Sequence, residues 1–130
     1  MNKQEFVETL KSWFEENSVN PSDTYVSHGG ALLLIGLRDK TEDIDLTVTR
    51  EVWEKFESTG LYPVVNLGGG TYLMSVTDVI DIHICNRVYS RLVETCGIQH
   101  PTLEETLEDY LVLNRPKDQE TIRLLKKLLQ

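Results

Sequence analysis

Two segments of the chain alternate apolar and polar residues with a period of two. One is Asp43-Ile44-Asp45-Leu46-Thr47-Val48; the other is Val79-Ile80-Asp81-Ile82-His83-Ile84-Cys85. Successive side chains of a strand point to opposite faces, so each segment reads as a strand with one core face. Ile44, Leu46 and Val48 form that face in the first, opposite Asp43, Asp45 and Thr47. In the second it is Ile80, Ile82 and Ile84, opposite Asp81, His83 and Cys85.

Elsewhere the period lengthens. Residues 3–17 place Phe6, Leu10, Trp13 and Phe14 at helical spacing, and 51–58 do the same with Trp53 and Phe56. Thr24–Ser27 is short and β-prone and runs into Gly29-Gly30, after which the apolar segment to Leu37 predicts a buried helix. Residues 61–67 and 71–76, joined by Gly68-Gly69-Gly70, predict a hairpin whose reversal uses the positive φ that glycine adopts freely. After Cys85 the character turns helical. Thr102-Leu103-Glu104-Glu105 fits a capping box opening a helix with Leu103, Leu107, Tyr110 and Leu111 on one side. Pro116 breaks that pattern, Asp118 is a candidate N-cap, and Ile122, Leu124, Leu125, Leu128 and Leu129 predict a terminal helix. The expectation is one α+β domain over residues 1–130: a mixed β-sheet flanked by helices, with C-terminal helices.

Charge narrows the functional classes. A net charge of −8 disfavours long nucleic acid and anionic membranes, both of which bind through clustered Lys and Arg. No apolar run reaches the length of a membrane span, and residues 1–10 lack a signal-peptide core. Cys85 and Cys96 have no metal-ligand spacing and read as reduced, partly buried thiols, which suits a cytoplasmic protein.

Candidate chemistry lies in the acids. Asp43 and Asp45, two apart on one strand face, stand roughly 6–7 Å apart at the backbone. Without a cation they repel; with one, they can share Mg²⁺, which prefers oxygen ligands. Asp81, on the polar face of the other strand, would supply the third carboxylate that two-metal phosphate chemistry uses. Taken singly, each acid is an ordinary solvated residue on a half-exposed sheet. Gly29-Gly30, closing a strand and opening a helix, would let backbone N–H groups approach an anion. The chain contains neither a P-loop nor a dinucleotide fingerprint. His83 reads as a structural partner of Asp81, and His28 as a residue bordering the same pocket.

In this order these residues resemble the polymerase β-type nucleotidyltransferase superfamily, in particular its minimal bacterial and phage-type members. The resemblance is carried by His28-Gly29-Gly30, Arg38-x-x-Thr41-x-Asp43-Ile44-Asp45-Leu46, Ile80-Asp81-Ile82 and Arg115-Pro116-Lys117-Asp118, and it spans about residues 24 to 126. It implies a nucleotidyltransferase fold and transfer of an NMP from an NTP to an acceptor hydroxyl with release of pyrophosphate. Asp43, Asp45 and Asp81 would hold two Mg²⁺ ions, with Mn²⁺ as the alternative. Gly29, Gly30, Arg38, Thr41 and Lys117 would contact the nucleotide. The acceptor would be a small molecule, a protein or an RNA end, and a homodimer or partner chain would complete its pocket. Two competing expectations are a non-catalytic nucleotide-binding or protein-interaction module of the same fold, and an unrelated α+β domain with scattered acids.

Overall fold

The computed structural model describes residues 1–85, 89 and 91–130. Its centre is a five-stranded mixed sheet with spatial order β1-β2-β5-β4-β3. The strands are β1 (Thr24–Val26), β2 (Ile44–Val48), β3 (Val65–Gly68), β4 (Thr71–Ser75) and β5 (Ile80–Ile84). Only β2 and β5 run parallel; the other neighbouring pairs are antiparallel. A parallel pair needs a crossover. Here the crossover carries helix α3 (Arg50–Glu57) and the β3–β4 hairpin. Gly68, Gly69 and Gly70 all have positive φ, as the reversal requires.

Three helices cover one face of the sheet. Phe6, Leu10, Trp13 and Phe14 of α1 (Lys3–Glu16) pack there with Leu33 and Leu34 of α2 (Gly29–Leu34) and Val52, Trp53 and Phe56 of α3. Val26, Ile44, Leu46, Ile80, Ile82 and Met74 meet them from the strands, and all six are buried. The alternation at β2 and β5 thus faces as expected.

The C-terminal helices α4 (Leu103–Leu113) and α5 (Gln119–Leu128) form a second cluster. In it Tyr110, Ile122 and Leu125 pack on Leu32 from the far side of α2. Among the described residues, no helix is long and apolar enough to cross a membrane.

Several local expectations need correction. Helix α2 starts at Gly29 and stops at Leu34, because Gly36 enters the left-handed region and Leu37 N–H bonds back to the Leu32 carbonyl. The segment after Cys85 is not uniformly helical: Leu92–Thr95 (β6) and Ile98–Pro101 (β7) form a hairpin turned by Cys96-Gly97, both at positive φ. Gln99 fastens it to β1 by donating to the Thr24 carbonyl at 3.0 Å. Cys96, at its tip, is exposed rather than partly buried. On α4, Leu111 is exposed whereas Thr106 and Asp109 are buried, and on α5 Leu128 is exposed. Asp118 precedes α5, but its side chain makes no cap bond and turns back to the Arg115 backbone N–H and guanidinium.

Candidate active site

The uncovered face of the sheet carries the other half of the alternation. Asp45 and Asp81 are direct partners across the parallel β2–β5 pair, and Ser75 of β4 is the partner of Asp81 on its other side. One crosswise row therefore reads Asp45, Asp81, Ser75. The Ser75 hydroxyl donates to Asp81 Oδ1 at 2.6 Å, which fixes that carboxylate. Asp43 lies one residue before β2, exposed, with its carbonyl accepting from the Thr41 hydroxyl at 3.1 Å.

Electrostatics single out Asp45. Its carboxyl is held above the ordinary 3.8, first because the cleft walls displace water from it. His83 opposes this by favouring the charged form, Asp81 adds like-charge repulsion, His28 again opposes, and Asp43 adds a smaller repulsion. Solvent still reaches the side chain, so Asp45 sits in a recess rather than in the core.

Two recesses meet at His28 and Asp45. The first encloses about 310 Å³, with Gly29, Arg38, Arg115 and Lys117 in its wall. Asp118 lies in the same wall and pairs with Arg115, so Arg38 and Lys117 are the cations that would favour an anion there. The second, also about 310 Å³, is lined by Tyr25, Thr47, His83 and Tyr89 beside Asp45. Among the described residues lining it, none apart from Asp45 is an acid.

The two glycines have separate tasks. A Cβ on Gly29 would stand 2.6 Å from Arg38 Nη1, so glycine lets the guanidinium settle over the start of α2. A Cβ on Gly30 would stand 3.0 Å from Phe6 Cζ, inside the core. Gly30 is thus required by packing, and Gly29 alone lines the cationic recess. Thr41 exchanges backbone hydrogen bonds with Met1, through its N–H at 2.9 Å and its carbonyl at 2.6 Å. It braces the loop that leads to Asp43.

His28, weakly marked by the sequence, stands where both recesses join. Its φ of 54° and ψ of −123° are rare for a residue with a side chain and cost about 1–3 kcal/mol. Its ring meets Tyr110 edge-on at 6.0 Å between centroids. Burial raises the Tyr110 hydroxyl above its usual range, and Arg38 partly offsets this. Arg115 and Tyr110 carried only a weak signal, since motif spacing does not reveal what a later helix lays beside an earlier turn.

Among the described residues, no group of three or more His, Cys, Asp or Glu side chains is already gathered closely enough to hold a metal ion. The Asp45–Asp81 pair nevertheless suits a hard divalent cation. Its donors are all oxygen, both groups are acids, and Asp45 is held against like charges that a cation would offset.

No family model matches the sequence, and no curated protein matches it. Two solved structures do. The chain superposes on ANT(2'')-Ia, solved in complex with adenylyl-2''-tobramycin, with a TM-score of 0.59 and 16% identity, over 94% of this chain and 90% of that one. It superposes on a candidate nucleotidyltransferase of Thermotoga maritima with a TM-score of 0.59 and 21% identity, over 98% of this chain and 96% of that one. The chain therefore has the nucleotidyltransferase fold.

Proposed function

We propose that the protein transfers a nucleoside monophosphate from an NTP to an acceptor hydroxyl, with Mg²⁺. The observation that carries this reading is the in-register Asp45–Asp81 pair, beside a recess lined by Arg38, Lys117 and the Arg115–Asp118 pair. A neighbour of the same fold, solved in complex with adenylyl-2''-tobramycin, supports it.

In this reading Arg38, Arg115 and Lys117 take the β- and γ-phosphates, whose negative charge suits that recess. Asp45 and Asp81, with Asp43 at the leading end of β2, would hold the metal. When bound, Mg²⁺ supplies neutralisation of the charge that develops on the phosphate oxygens. The acceptor oxygen bonds to the α-phosphorus, and the bond from that phosphorus to the bridging oxygen breaks. Pyrophosphate leaves with the electron pair into the cationic recess. The acceptor proton passes to Asp81, which the Ser75 hydroxyl keeps oriented.

Calorimetry with Mg²⁺ and each NTP tests the site. Wild type should bind at least one NTP, and Asp45→Asn with Asp81→Asn should weaken that binding tenfold or more. Binding that is absent, or indifferent to the double change, removes the assignment. Incubation with α-labelled NTPs and a cell extract then tests transfer, for which label should appear on an acceptor.

A further inference from the structure

The two edges of the five-stranded sheet differ. At the β1 edge, Gln99 of the β6–β7 hairpin donates to the Ser22 and Thr24 carbonyls, each at 3.0 Å, and holds the hairpin there. At the other edge every residue of β3 is exposed. An edge strand directs alternate N–H and C=O groups outward, where another strand can pair with them. Natural edges are guarded against this by charge, proline or a bulge. Pro63 precedes β3, and the register of β3 with β4 slips between Asn66 and Gly68. Between those two guards lies a pairable edge, Val64 to Leu67, that carries no charge.

The lack of charge extends well beyond β3. Residues 58–77 contain no Asp, Glu, Lys, Arg or His, in a chain that is 26% charged with a net charge of −8. Leu61, Val64, Val65, Leu67 and Tyr72, all within that run, are exposed. From this edge we infer that β3 pairs antiparallel with the β3 of a second copy, joining two five-stranded sheets into one. Charge selects that partner. Two molecules of net charge −8 repel, and a two-fold contact sets residues near their own counterparts, so a charge at its centre meets its like. The run 58–77 lets a copy approach without such a meeting. A partner recognised by its charge would find no countercharge there.

Closure favours a pair over a fibre. Self-pairing uses up β3 in both copies, and the β1 edge already holds the hairpin. The two-fold axis stands perpendicular to the sheet, so both Asp45–Asp81 rows open on the same face. In the strand order β5-β4-β3-β3-β4-β5, at about 4.8 Å per step, the two Asp81 positions lie roughly 24 Å apart. The pairing is independent of what those rows catalyse.

Sedimentation equilibrium of the full chain, 14.9 kDa as a monomer, tests the pairing. The paired edge is short, so the expected Kd is on the order of 10 µM. Salt screens the repulsion between the acidic chains, and the dimer should tighten severalfold from about 0.05 to about 0.5 M NaCl. Val65→Glu brings like charges together across the new strand pair and should weaken association about tenfold or more. Should circular dichroism show that variant unfolded, Leu67→Glu, at a position 54% exposed, takes its place. Val112→Glu, on α4 at a position 78% exposed and outside the run, should leave the dimer intact. The inference is overturned by a wild type that is monomeric at about 300 µM, or by assemblies larger than a dimer. It is equally overturned by a dimer that survives the folded β3 variant, weakens with salt or is lost with Val112→Glu.

Discussion

The two faces of the five-stranded sheet are made by alternate residues of the same strands, yet they obey different rules. On the covered face Ile44, Leu46, Ile80 and Ile82 are almost wholly excluded from solvent and carry no polar atom beyond the backbone. On the open face Asp45 and Asp81 lie side by side, which stabilises nothing by itself, and Asp45 is held against its own ionisation. The first face is arranged for burial. The second keeps an electrostatic cost, partly offset by His83 and His28, that a bound cation or a proton would relieve.

The sharpest contrast should come from substituting neighbours on β5. Ile82→Ala empties a core position and should cost about 2–5 kcal/mol of stability, read by denaturant unfolding. Asp81→Asn, one residue away, should leave unfolding nearly unchanged and lower transfer by roughly a hundred- to a thousandfold, the scale of losing a key electrostatic group. Transfer that survives Asp81→Asn would end the division of labour between the faces.

The adjacent glycines repeat the contrast on a smaller scale. Gly30→Ala presses on Phe6 and should cost about 1–3 kcal/mol as overpacking. Gly29→Ala presses on the far end of the Arg38 side chain and only touches Thr41 Oγ1 at 3.8 Å, so it should raise the KM for NTP about tenfold through loss of one charge-assisted contact, with little change in stability. Equal destabilisation by both would show that Gly29, too, is required for packing.

Proton linkage gives the smallest effects, with opposite signs in two places. The raised carboxyl of Asp45 makes the native state bind its proton more readily than the unfolded chain does. Its contribution to stability therefore falls as pH rises from the ordinary 3.8 through the raised value. Asp45→Asn should match wild type below that window and exceed it at neutral pH. His100 behaves the other way. Burial lowers its pKa from 6.5, against a weaker opposing effect from the Pro101 carbonyl, which accepts from Nδ1 at 2.8 Å. Nε2 faces the Thr95 hydroxyl at 2.7 Å. Stability from His100 is present above 6.5 and is lost as pH falls through the lowered value. Urea midpoints across pH for wild type, Asp45→Asn and His100→Gln would separate the two.

What the sequence made legible was whatever one strand or helix decides alone. The period-two pattern placed Asp45 and Asp81 on one face, and the order of glycines and acids pointed to the fold. Three things depended on partners remote in the chain. The β6–β7 hairpin was missed because its turn is Cys96-Gly97 and Leu92 and Val93 are both exposed, so no alternation marks it. On α4 Leu103, Leu107 and Tyr110 face the cluster as read, but Leu111 does not, and Asp109 is buried where it accepts from the Tyr89 hydroxyl at 2.5 Å, a pairing periodicity does not reveal. Gly29 and Gly30 read alike until Arg38 and Phe6 were found above them.

The parallel pairing of β2 with β5 has a consequence for the order of assembly. Hairpins such as β3–β4 close over a few residues, whereas this pair must wait for α3 and the whole hairpin to be spanned. Long loops carry a larger closure entropy, and such non-local pairings form slowly. The two carboxylates therefore come together at a larger closure cost than the residues of the β3–β4 hairpin, and a chain holding only that hairpin would have no paired acids to offer a divalent ion.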